Sequence, residues 1–426
     1  MAITLTQEQQ DILDGKQGKT KSKVMKTLIM YGETFGAEIM VPISGQYGHL
    51  VTSFGLSMMK PVFSLMDQLV EGGALSGQPF TVDPRPMDKN VPSNLLQKLL
   101  FKFMYSAQDR YEAQLIQMGL LNEDAFTCTC YLNEVGNKPE EGEILSWAES
   151  SAVVYANSVL GARCNRNSGI IEMFGNIVGC VPCFGFLTDE GRKATWIVEV
   201  RTTKKPEAQI LGSAIGMKVM EDVPFIKGLN KWLGSELNET SCSYLKDMGA
   251  ATASNGAVGL YHVENLTPEA ARLGEELINT DAKTYVIDDA ELERVRSSYQ
   301  CIWKNPEAEP KLCFIGCPHL TLMQLNDWTE KLCETLKKNG RTKVSIPTVF
   351  TAAPSVAKAF KETQNYNKLE KTGAILSYIC PLMYMNNPLC GKMPVITNSN
   401  KLRTYSSSRF YTDEEILNRI TKKEGK

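Results

Sequence analysis

Apolar positions recur at helical spacing over residues 19–31 (Val24, Met25, Leu28, Ile29) and return over 56–71. Each stretch runs into glycine, at Gly32 and at Gly72-Gly73, where helices commonly stop. Thr6-Gln7-Glu8-Gln9 has the spacing of a capping box, ahead of a short first helix stopped at Gly15. Short apolar runs at 39–43 and 79–82 read as buried strands, the second broken by Pro84 and Pro86. Residues 92–120 predict the longest helix, open to one interruption, with Leu95, Leu99, Phe103 and Tyr105 on its apolar side. Over 125–190 the periodicity fades into glycine-rich, polar, cysteine-bearing sequence, the texture of loops and short elements that line something. Strands at 196–200, 312–315 and 344–349, helices at 321–338 and 355–370, and an amphipathic helix after about 412 complete an alternation that predicts an α/β protein. With no repeat and no low-complexity linker, closely packed domains are expected, divided at about 1–125, 126–300 and 301–426.

Composition narrows the function classes. The chain has 426 residues and a formal charge of −2, which gives no reason to expect a nucleic-acid or anionic-membrane partner. Hydrophobic residues at 43% and charged residues at 22% exclude general disorder. No basic and apolar leader opens the sequence and no 18-residue apolar run occurs, so a cytoplasmic protein with reduced thiols is expected.

Two counts stand out: twelve cysteines and three histidines. Cys313, Cys333, Cys242, Cys301 and Cys390 sit in apolar or patternless contexts that suit buried free thiols. Cys180-Val-Pro-Cys183 is a single CxxC with no second pair at zinc spacing. Cys128, Cys317 and Cys380 differ. They stand in loop-like contexts just past apolar runs, two of them followed by proline, and three such thiolates could converge on an iron–sulfur cluster. The histidines lie beside glycine or proline signals, at Tyr47-Gly-His49, Leu260-Tyr-His262 and Pro318-His319. No HExxH, Walker loop, nucleophile elbow or Rossmann fingerprint is present.

The segments Thr127-Cys-Thr-Cys-Tyr-Leu132 and Ser146-Trp-Ala-Glu-Ser-Ser-Ala-Val-Val-Tyr-Ala-Asn-Ser-Val-Leu-Gly-Ala-Arg163 resemble the aconitase X family, as do Gly316-Cys-Pro-His319 and Thr397-Asn-Ser-Asn-Lys401. Weaker likenesses are His49 and Tyr261-His-Val-Glu-Asn-Leu-Thr-Pro-Glu-Ala270. The motifs follow the family order over nearly the whole chain. The resemblance implies an aconitase-like fold of about three packed α/β domains around an iron–sulfur cluster. It also implies a small swivelling domain on a separate subunit, so a heterodimer, and a hydro-lyase activity. Known members dehydrate cis-3-hydroxy-L-proline or 5-phosphomevalonate. The expected reaction is dehydration of cis-3-hydroxy-L-proline to 1-pyrroline-2-carboxylate; the alternatives are phosphomevalonate dehydration and a non-catalytic iron–sulfur or zinc protein.

Carried over by position, the resemblance implies Cys128, Cys317 and Cys380 as ligands of a 4Fe–4S or 2Fe–2S cluster. Glu149, Ser150, Lys401 and His49 become catalytic candidates. Thr52, Ser53, Asp83, Pro84, Ser151, Arg163 and Asn165 become substrate-binding candidates. Dehydrating a β-hydroxy acid requires stabilising the leaving hydroxide and removing a weakly acidic α-proton. Three cysteine ligands leave one iron open as a Lewis acid for the first task. Lys401 and Arg163 could neutralise the substrate carboxylate. The usual base is a serine on the swivelling domain, which would come from a partner. Three departures stand out. Asp83 occupies a position where asparagine is usual, a carboxylate that would disfavour a phosphorylated substrate. Cys130 replaces a usual proline, and Cys164 a usual threonine.

Overall fold

The computed structural model describes residues 3–422. Its first layer begins with α1 (Gln7–Leu13), held by the predicted capping box, in which Thr6 and Gln9 exchange backbone N–H groups. α2 (Lys19–Thr34) continues one half-turn past Gly32. β1 (Met40–Pro42), β2 (Gly48–Leu50), α3 (Lys60–Glu71) and β3 (Phe80–Val82) follow. β2 and β3 lie parallel and pair His49 with Thr81. The predicted helix over 92–120 is two helices, α4 (Leu95–Met104) and α5 (Gln108–Met118). The break is fixed at Tyr105, which is buried and donates its hydroxyl to Met383 O at 3.0 Å. α4 also departs from the amphipathic expectation. Its buried side carries Gln97 and Phe101, whereas Leu95, Leu99 and Phe103 are 73%, 57% and 75% exposed.

The stretch from 125 to 190, expected to be loops and short elements, also holds two helices, α6 (Ser150–Ser158) and α7 (Gly169–Val178). Residues 151–158 are all buried. A helix covered on every side carries no amphipathic period, which is why the sequence pattern misses it. β4 (Cys180–Pro182) returns antiparallel to β1, so this stretch closes back on the N-terminal layer.

Two parallel sheets build the rest. The first, of strand order β7-β6-β5-β8, contains β5 (Ala194–Val200), β6 (Pro224–Lys227), β7 (His262–Val263) and β8 (Ile278–Ile287), with α8 (Ala208–Val219) and the helix Glu239–Asn255 packed on it. The second has order β11-β10-β9-β12-β13: β9 (Leu312–Leu320), β10 (Thr348–Ala352), β11 (Ile375–Ser377), β12 (Val395–Thr397) and β13 (Arg409–Phe410). All nine residues of β9 are buried, as parallel strands covered on both faces require. The strand expected at 312–315 therefore runs on through Cys317 and His319, which are strand residues rather than loop residues, beside a register shift against β10. The strand expected at 344–349 begins at Thr348 instead. Pro347 has no N–H for the ladder, and Val344 and Ser345 donate to Thr372 and Ile420.

Candidate active site

The carboxyl ends of parallel strands gather side chains from distant segments. β2 ends into Thr52 and Ser53, β3 into Asp83, β11 into Cys380, and β12 into the helix Asn400–Tyr405 that carries Lys401. Ala148 N donates to His49 O at 2.7 Å and so lays the entry to α6 against β2. There Glu149 caps α6, accepting from Ala152 N at 2.8 Å and from the Ser151 hydroxyl at 2.6 Å. Its φ of +86° lies in the left-handed region, which a non-glycine residue occupies only when its surroundings hold it there. The Lys401 ammonium pairs with the other Glu149 oxygen and donates to Ser151 Oγ at 3.2 Å. Burial alone would push the Glu149 carboxyl up, but the Lys401 charge and the Ser151 hydroxyl more than offset it, leaving it below the usual range. Burial likewise opposes the Lys401 charge, yet Glu149 and the Cys317 and Cys128 thiols hold its pKa above the usual lysine value.

Beside this pair lie two buried polar atoms with no partner among the described residues, His49 Nε2 and Asp83 Oδ1. His49 is fully buried and its Nδ1 meets Thr81 Oγ1 at 2.9 Å. Asn137 Nδ2 donates to both Thr81 Oγ1 and Gly48 O at 2.9 Å, which fixes the threonine. Burial depresses the His49 pKa to about 4, so the ring is neutral near pH 7. Burial, then the Glu149 charge, raises the Asp83 carboxyl well above its usual range. Both causes favour the protonated form of Asp83, which weakens the charge argument that the sequence set against a phosphorylated substrate.

His319 ties the three cysteine segments together. Its backbone N–H points at Cys128 Sγ at 3.5 Å, and its Nδ1 meets Thr127 Oγ1 at 3.0 Å. Its Nε2 donates to the Ile379 carbonyl, next to Cys380, at 3.1 Å. It also stands two residues from Cys317 on β9. Ser399 adds a further tie by donating its hydroxyl to Cys317 O and accepting from Leu402 N at 3.1 Å, which couples the Lys401 helix to β9. Asn400 is held by Gln209 through bonds of 2.8 and 2.9 Å. Burial pushes all three thiols up, and the Lys401 charge pulls each of them down. Among the described residues no three Cys, His, Asp or Glu side chains close around a single ion.

The other expected site residues divide. Thr52 Oγ1 donates to Tyr111 at 2.9 Å, Ser53 and Pro84 are buried nearby, and Ser150 opens α6. Arg163 and Asn165, expected as substrate residues, spend their side chains on other partners in this structure. Arg163 pairs with Asp189 and donates to Leu187 O at 3.1 Å, and Asn165 holds the backbone at Phe184 and Phe186. His262 belongs to that second region, donating Nε2–H to Arg192 O at 2.8 Å. Cys130 and Cys164 are fully buried, and the Cys164 thiol faces the Trp147 and Asn165 carbonyls. All twelve cysteines are free thiols. Thr81, Asn137, Thr127 and Lys246, which is buried and donates to His319 O at 3.0 Å, were not among the expected site residues. Only their closeness to the quoted motifs could have flagged them.

Family models described as aconitase X first, second and third domains match residues 2–190, 194–297 and 310–417. The phosphomevalonate dehydratase large subunit of Methanocaldococcus jannaschii is 32% identical over 430 residues, 98% of each chain. That of Thermococcus kodakarensis is 31% identical over 414 residues, 95% of each. The cis-3-hydroxy-L-proline dehydratase of Hypocrea jecorina is 24% identical over 355 residues, 81% of this chain and 56% of that one. The crystal structure of Thermococcus kodakaraensis aconitase X in its holo-form superposes with a TM-score of 0.79 at 29% identity, covering 97% of this chain and 99% of that one. Sequence, fold and the convergence of the quoted motifs agree, and the chain belongs to the aconitase X family.

Proposed function

We propose that this chain is the large subunit of a hydro-lyase that eliminates water from a hydroxylated carboxylic acid, with a small subunit completing the enzyme. The observation that carries the proposal is the buried Glu149–Lys401 pair beside the unpartnered His49 Nε2 and Asp83 Oδ1, at the seam that His319 makes between the cysteine segments. Unspent hydrogen-bonding capacity in a buried site is costly unless a ligand uses it.

The donor set fits an iron–sulfur cluster better than a single ion. Cys128, Cys317 and Cys380 come from three segments gathered around one point of the fold, they are too spread for one ion, and the nearby ammonium offsets thiolate charge. When bound, such a cluster supplies a Lewis-acidic iron for the leaving hydroxyl. The chain's own residues do the rest. Lys401, held charged, binds the substrate carboxylate and offsets the charge that grows there as the α-proton leaves. Glu149 and Ser151 keep the ammonium in place. Asp83, its pKa raised by burial, holds a proton at its carboxyl for the departing hydroxide, so that water leaves. His49, neutral and oriented through Thr81 and Asn137, orients the hydroxyl. The α-proton goes to a base supplied by the small subunit.

For the substrate, the phosphorylated class takes precedence over cis-3-hydroxy-L-proline, reversing the sequence-based order. The phosphomevalonate dehydratase relatives match over 95% and 98% of each chain, and an Asp83 whose pKa is raised by burial repels a phosphate less than an ordinary carboxylate would. The test is anaerobic reconstitution with the small subunit and turnover assays on both compounds. Elimination from 5-phosphomevalonate but not from cis-3-hydroxy-L-proline supports this order. The opposite result restores the original one, and turnover of neither removes both substrates.

A further inference from the structure

α4 presents an apolar stripe to solvent. Leu96, Leu99 and Phe103 follow the i, i+3, i+7 spacing of one helix face, with Leu95 beside them, and they are 66%, 57%, 75% and 73% exposed. Scattered exposed leucines are ordinary, but four large apolar side chains on ten residues form a contiguous patch of the kind that marks an interface. The helix is itself well anchored. Asn94 and Gln97 form its capping box, Gln97 and Phe101 face inward, and the chain leaving it is pinned by Tyr105. The stripe is thus a fixed surface and not a frayed end.

Its position ties it to the site. Ser57 donates its backbone N–H to Met104 O at 2.8 Å and its hydroxyl to Phe103 O at 3.1 Å. The loop from Thr52 and Ser53 therefore ends on the last turn of α4, and Met58, 75% exposed, extends the apolar surface. On the other flank of the helix a cavity of about 1010 Å³ is lined by Asp88, Lys98, Phe101, Lys102, Tyr384 and Tyr378, which stands two residues before Cys380 in the chain. Lys89, Lys98 and Lys102 rim this groove and outnumber its carboxylates, Asp88 and Asp109, and among the described residues none of the three lysines forms an ion pair.

We infer that the α4 stripe and its adjoining groove are the docking surface for the small subunit, which would present an apolar face rimmed by carboxylates. The inference rests on the two-subunit reading above. The occupant is chosen by position: a chain that must complete the site has to come close to the loop that follows Thr52 and Ser53, and α4 is the exposed apolar element bonded to that loop through Ser57. The unpaired lysines select an acidic rim by charge complementarity. An ordinary interface covers roughly 800 Å² per partner, more than one helix offers, and the groove supplies the remainder.

The test titrates the purified small subunit of the same organism into this chain, anaerobically, by calorimetry, alongside L99E/F103E and a control, I302E, placed on a 63% exposed apolar residue elsewhere. The expected result is binding weakened about 30-fold or more by L99E/F103E, as for loss of central interface anchors, with I302E unchanged and all three proteins giving the same circular dichroism. Equal binding by wild type and L99E/F103E overturns the inference, as does an absence of binding by the wild type. A wild-type chain that self-associates alone, and that L99E/F103E renders monomeric without changing small-subunit affinity, overturns it in favour of a second copy. Binding that is lost in L99E/F103E while the wild-type complex turns over neither substrate keeps the surface and rejects the catalytic reading, so the two failures are distinguishable.

Discussion

Among the described residues, two buried glutamate–cation pairs are built to opposite ends. Arg192 and Glu269, 1% and 5% exposed, are saturated. The guanidinium takes both carboxylate oxygens at 2.7–2.9 Å, and its remaining N–H groups reach Asn157 O at 3.0 Å and Phe186 O at 3.1 Å. His262 and Arg163 approach the same carboxylate from outside, each at 4.0 Å. Glu149 and Lys401 are nearly as buried, at 7% and 10%, but joined through a point charge, on a strained backbone, next to two polar atoms left without partners. Burial and ion pairing alone therefore do not identify a site. What separates the two pairs is that the Arg192 guanidinium and the Glu269 carboxylate spend their own bonding capacity on each other and on Asn157 and Phe186, whereas two buried polar groups beside Lys401 keep theirs unspent.

The largest expected effect is on the cluster. Cys317→Ser should purify without iron or labile sulfide, whereas Cys164→Ser, whose thiol already faces two carbonyls, should keep both in full; iron and sulfide analysis decides. Breaking the saturated pair comes next. Arg192→Met strands the Glu269 charge in the core and should lower unfolding free energy by about 3–5 kcal/mol in denaturant titration. An effect below about 1 kcal/mol would show that the pair is not the structural counterpart described.

Glu172 sharpens the comparison because it is a buried carboxyl with no cation. Burial raises it to about 8, against an ordinary value of 4.5, despite the Ser146 hydroxyl at 2.6 Å. A carboxyl raised in the folded state stays protonated while its unfolded counterpart has ionised, so stability falls as pH rises from about 4.5 towards 8. Each such group costs about 1.4 kcal/mol per pH unit in that window. Glu172→Gln should recover on the order of 2 kcal/mol of the loss between pH 6.5 and 8. An unchanged pH profile of unfolding would contradict its assignment as a neutral acid. The smallest effect concerns orientation: Thr81→Val should cut kcat/KM by roughly 10-fold and Thr81→Ser should retain it, with stability matched between the two.

Much of this site was legible in the sequence, because each motif sits at a strand end or helix start where local pattern is strong. The capping box at Thr6 and the α/β class followed from residue type and spacing, whereas Glu149, Lys401 and His49 were flagged only by the family resemblance of the motifs that carry them. What failed did so for physical reasons. α6 is buried all round and carries no period. Leu95, Leu99 and Phe103 have the period of a core face yet point outward, since periodicity reports which residues share a face and not what covers it. Arg163 stands in the 146–163 motif, but its side chain pairs with Asp189 and not with the Glu149–Lys401 pair. The charge argument at Asp83 weakened because residue type says carboxylate, while burial and the neighbouring Glu149 raise its pKa and favour the protonated form.

The central claim is that Lys401 beside Glu149 is catalytic and not structural, and it is tested most directly by the rate of water elimination in Lys401→Met, bound to the small subunit and carrying wild-type iron. Without its partner ammonium, Glu149 can take up a proton and stay buried, so the fold should survive. The account predicts a loss in kcat/KM of about 1000-fold, roughly 4 kcal/mol of transition-state stabilisation. A Lys401→Met complex that turns over within a few-fold of the wild type would contradict it.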